Sequence, residues 1–143
     1  MRLLDLILRG GKTPEKEQQS LEEKLYLEDL ARKIQVRLGQ EFRLNRLRGI
    51  YYSQDEVIGI TPKDRILFHV WKMKPVKKSD LVFKGDMITD SGGKNTYPKK
   101  HFEAIAEGLK WECEMLMSEN GKAPALFRTE KANIWLAPII ELK

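Results

Sequence analysis

The chain has 143 residues, 41% hydrophobic and 33% charged, with a formal net charge of +5. A length of this order suits one domain, 1–143, whose core is large enough to form without disulfides or a structural metal. The composition excludes a disordered chain, the apolar runs are too short to cross a membrane, and one cysteine excludes an internal disulfide; together these point to a reducing, cytoplasmic setting and no membrane partner.

The chain opens on LLDLILR at residues 3–9, which Asp5 interrupts and which no small-residue cleavage site follows, so no signal peptide is expected. The principal element is the helix predicted from Ser20 to Gly39. Ser20 and Glu23 form a capping-box pattern, Leu27, Leu30, Ala31, Ile34 and Leu38 make one apolar stripe, and Gly39 supplies a left-handed stop. Thr13-Pro14 is a second start signal, six residues earlier.

Alternation predicts a half-buried strand at Phe42 to Asn45 and β-type residues at Ile50 to Tyr52. Val57 to Ile60, the turn Thr61 to Asp64 and a long strand Arg65 to Met73 read as a hairpin, the second strand apolar on both faces and so central. Short strands are expected at Leu81 to Phe83 and Met87 to Thr89, followed by a mobile loop at residues 90–96. Pro98 opens a second helix with the stripe Phe102, Ile105, Ala106, Leu109, Cys113 and Leu116, expected to stop at Asn120-Gly121, with close helix packing at Gly108. A hairpin of residues 125–129 and 132–142 completes the chain, with Pro138 on an edge or at a bulge. The predicted fold is α+β, an antiparallel sheet of about five strands with two main helices packed on it, the first on one face and the second on the other or at an edge.

Catalytic patterns are incomplete. Gly10-Gly11-Lys12-Thr13 lacks the glycine five places earlier that a phosphate loop needs, Leu6 standing there. Asp90-Ser91-Gly92-Gly93 is similar to the serine motif of chymotrypsin-like proteases, but the chain is too short for that fold and offers only His69 as a preceding base. Two histidines and one cysteine give no zinc spacing; His69 and Cys113 read as core residues, His101 as an exposed one. No cofactor, metal site or assembled catalytic group is expected. Asp64, Asp86 and Asp90 are the acids on which a metal-dependent nuclease would rest.

The charge is uneven. Residues 32–100 hold 16 Lys/Arg against 7 Asp/Glu, a local +9, while each flank is −2. Arg43, Arg46 and Arg48 stand beside Tyr51 and Tyr52, and Lys72, Lys74, Lys77 and Lys78 close the long predicted strand. Guanidinium forks suit phosphates and tyrosine rings suit bases. The expectation is a small non-enzymatic binding or regulatory protein whose nine residues converge on one face for nucleic acid or a nucleoprotein complex. The alternatives are a regulator that docks a protein machine, of the kind phages and mobile elements encode, and the metal-dependent nuclease.

Overall fold

The computed structural model describes residues 14–63 and 72–140. Helix α1 runs Pro14–Leu38. It starts at the earlier of the two signals, so Ser20 lies within the helix and not at its first position. Its stop is the expected one: Gly39 takes φ +77° and donates to the Gln35 carbonyl at 2.8 Å.

Among the described residues ten strands follow: β1 (Phe42–Asn45), β2 (Ile50–Ser53), β3 (Ile58–Pro62), β4 (Met73–Val76), β5 (Val82–Lys84), β6 (Met87–Thr89), β7 (Thr96–Pro98), β8 (Glu114–Ser118), β9 (Ala125–Arg128) and β10 (Ala132–Leu136), with a second helix α2 at Lys99–Gly108. All ladders are antiparallel. Seven strands form one sheet in the order β1-β2-β3-β10-β9-β8-β4, and β5-β6-β7 form a second, small sheet. The α+β class therefore holds, with more strands than the five expected.

Register defines the two faces of the large sheet. Leu44, Tyr51, Ile60, Ile134, Phe127, Met115 and Val76 lie side by side in one cross-strand row. That row faces both helices, and its central members join Leu30, Ile34, Phe102 and Ile105 in one core. The helices thus share a face, where the sequence suggested the second on the other face or at an edge. Phe102 is the link: its ring meets Phe127 of the sheet edge-on at 5.0 Å and Tyr97 of the small sheet at 6.2 Å. On the opposite face Leu116, Leu126 and Trp135 form a smaller buried cluster with Met73 against it.

The second helix ends at Gly108, eight residues before its stripe does. After Gly108, Lys110 and Trp111 both take positive φ, 55° and 58°, which turns the chain out of the helix. Met115, Leu116 and Met117 then bury on both faces of a strand between β9 and β4. Close helix packing is found where expected: a methyl on Gly108 would stand 3.5 Å from Ile34 Cγ1. Both edges of β3 are occupied, by β2 and β10. The long strand predicted at Arg65 to Met73 lies outside the described residues except for Lys72 and Met73, and the strand that Met73 opens is at the sheet's edge. Pro138 falls beyond the end of β10.

Residues 90–96, expected as a mobile loop, are held at both ends. Asp90 and Asn95 are buried. The Asp90 carboxylate accepts from the Lys94 and Asn95 amides at 2.9 and 3.1 Å and from Asn95 Nδ2 at 3.2 Å. Asn95 Nδ2 also donates to the Ser118 carbonyl at 2.8 Å, tying the loop to β8.

Candidate nucleic-acid interface

Arg43, Arg46 and Arg48 are all exposed on the β1–β2 hairpin. The hairpin's turn, residues 46–49, is fixed from inside. The Arg48 amide donates to Asn45 Oδ1 at 3.2 Å, the Gly49 amide to the Asn45 carbonyl at 2.8 Å, and Gly49 takes φ +67°. Among the described residues no carboxylate lies within 4.0 Å of any of the three guanidinium groups. Two leucines stand between them, Leu44 at 45% exposure and Leu47 at 76%.

The two tyrosines part company. Tyr52 pairs across from Arg43 and shares its face of the sheet. Tyr51 is on the helix face, against Glu28 of α1; burial, and then the hydrogen bond and charge of Glu28, raise its pKa, so the phenol stays neutral. Only one tyrosine, Tyr52, therefore stands with an arginine.

The lysines form a separate group. β4 is at the other edge of the sheet, six strand intervals from β1, which is about 29 Å at the usual spacing. Lys72 pairs with Glu119 at 3.3 Å, and Lys78 Nζ sits 4.2 Å from the centre of the Trp111 ring. Lys74 and Lys77 are exposed. The nine residues singled out in the sequence thus occupy two opposite edges and do not converge on one face.

A polar cluster that the sequence did not suggest lies at the far end of β2. The Asp55 carboxylate accepts from Ser53 Oγ at 2.8 Å, Gln40 Nε2 at 2.9 Å and His101 Nε2 at 2.7 Å. Burial works to raise the Asp55 pKa, but the bonds from Gln40, His101, Ser53 and Val57 outweigh it and hold the carboxyl well below the usual range. Ser53 Oγ in turn accepts from the Val57 and Ile58 amides. Serine and histidine both bind the aspartate and not each other, so no base is aimed at the hydroxyl. The cluster joins the end of α1, the β2–β3 turn and the start of α2. His101, expected to be exposed, has a side chain only 13% exposed.

Of the acids considered for a metal, Asp64 lies outside the described residues, Asp86 is exposed in the β5–β6 turn, and Asp90 is occupied by its own loop. Among the described residues no group of three His, Cys, Asp or Glu side chains gathers to hold a metal ion. Burial pushes the Cys113 thiol up to about 11, leaving it protonated and unreactive at neutral pH. Among the described residues no helix is long and apolar enough to cross a membrane. Comparison of the chain with family models, curated proteins and solved structures found no match.

Proposed function

We propose that this protein acts by binding nucleic acid through the β1–β2 hairpin, with Arg43, Arg46 and Arg48 as its phosphate contacts. The supporting observation is three exposed guanidinium groups with no acidic partner among the described residues, carried on a hairpin whose turn Asn45 fixes. A paired surface arginine has its charge answered within the protein. An unpaired cluster leaves a positive potential that a polyanion lowers. Tyr52, beside Arg43, adds a ring on the same face. The lysine edge enters this reading only as a weaker site, since Lys72 and Lys78 already have partners.

The test is an equilibrium titration of a fluorescent mixed-sequence oligonucleotide. Three phosphate contacts predict a log–log salt slope of about −2.1 to −2.7, or roughly a twenty- to forty-fold loss of affinity between about 50 and 200 mM salt. Replacing the three arginines by alanine is expected to abolish the slope together with the binding. Absence of binding at the lower salt would refute the proposal.

A further inference from the structure

We infer that the tip of the β1–β2 hairpin is an apolar wedge for the duplex minor groove, Leu47 entering between base steps while Arg46 and Arg48 hold the flanking phosphates. This rests on the nucleic-acid reading above and gives that site its ligand class. The observation behind it is the sequence Arg46-Leu47-Arg48 on an exposed hairpin turn, with Leu47 76% exposed. A leucine so placed buries little in the folded chain, and its flanking guanidinium groups have no acidic partner among the described residues. Phosphate binding alone gives it no role. Proteins that kink DNA through the minor groove join these two features, arginines for the groove's negative potential and an aliphatic side chain to unstack one step. The wedge must not fold back under load, and the bonds from the Arg48 and Gly49 amides to Asn45 brace it.

The other occupant such an edge suggests is an acidic peptide added as a strand. The backbone argues against it. In an antiparallel ladder alternate residues turn their N–H and C=O groups outward. The Phe42 amide is taken by Gln35 Oε1 at 3.4 Å, which puts Phe42 and Leu44 in the outward set. With the Phe42 amide occupied, Leu44 carries the one outward N–H left within β1 for an incoming strand.

A wedge works best where the stack is already weak. The experiment compares two labelled duplexes of about 20 base pairs, alike but for one central mismatch, in titrations at about 50 mM salt, where a phosphate-binding protein is held most tightly. Because unstacking a matched step costs a few kcal/mol, the mismatched duplex is expected to bind about tenfold tighter or more. Leu47→Ala is expected to keep binding and lose that preference, and Leu47→Met to retain it. Equal affinity for the two duplexes, or a preference that survives Leu47→Ala, overturns the wedge and leaves the phosphate reading standing. No binding to either duplex overturns the wedge, and no binding to the mixed-sequence oligonucleotide as well overturns both. Tighter binding of poly-glutamate than of the mismatched duplex assigns the hairpin to an acidic protein and overturns the wedge as well.

Discussion

Asp55 shows how a short polar side chain can hold three elements together. Its carboxylate takes hydrogen bonds from Gln40, after α1, from Ser53 on β2, and from His101 on α2. Those donors hold its folded pKa below the 3.8 of an unperturbed aspartate. A carboxyl whose folded pKa is depressed contributes stability that is complete above the unfolded value and is lost as pH falls through it toward the folded one. Solvent reaches this carboxylate, which limits the effect. Asp55→Asn is expected to lower the melting temperature by a few degrees at neutral pH, and the gap from the unmodified chain should begin to narrow as pH falls below about 4 and go on narrowing down to about 2. Thermal denaturation across that range checks it. A gap that stays constant with pH would mean that the ionised form has no special role.

Between residue and fold stands the contact of the 90–96 loop with the β8–β9 connection. Gly121 takes φ +80°, and a methyl on it would stand 2.9 Å from the Lys94 carbonyl oxygen. Neither the left-handed backbone nor the neighbouring main chain can yield cheaply. Gly121→Ala is therefore expected to cost about 1–3 kcal/mol in chemical denaturation. Gly92→Ala, whose methyl would meet only Lys94 Cγ at 3.9 Å, should stay within about 1 kcal/mol of the parent. Equal costs would show that the close approach at Gly121 does not constrain the loop. The contact joins segments that are far apart in the chain, and for that reason the sequence did not reveal it. What was legible is local. The α1 stripe and its glycine stop are found in the structure, as is strand β1, although only Phe42 is partly buried in it and Leu44 is exposed with its neighbours; a period of two does separate Tyr51 from Tyr52. The end of α2 was not legible, because the apolar spacing of Phe102 to Leu116 suits a helix throughout. Two left-handed residues with no propensity signal, Lys110 and Trp111, break it, and the sheet takes Met115 to Met117. Strand order was equally out of reach, since pairing β10 between β3 and β9 depends on non-local contacts.

That strand order decides how the whole molecule carries its charge. The arginines and the lysines are near neighbours in the chain but stand on the first and last strands of a seven-stranded sheet. Their separation of about 29 Å is some three Debye lengths at about 0.1 M salt, so neither group adds appreciably to the other's potential in solution. The local +9 of residues 32–100 is therefore better described as two modest fields than one strong one. The lysine edge is also the more committed internally, with Glu119 and Trp111 each engaging one of its four cations. Pro75, in β4, removes a backbone donor from that edge and discourages a further strand. If the hairpin is the binding surface, Lys74→Ala with Lys77→Ala should change oligonucleotide affinity by less than about threefold and leave the salt slope unaltered, whereas loss of the three arginines removes both. Titration of the two variants side by side distinguishes the cases. A lysine variant as weak as the arginine one, with a shallower slope, would mean that the ligand reaches around the sheet to both edges, a path far longer than the hairpin tip.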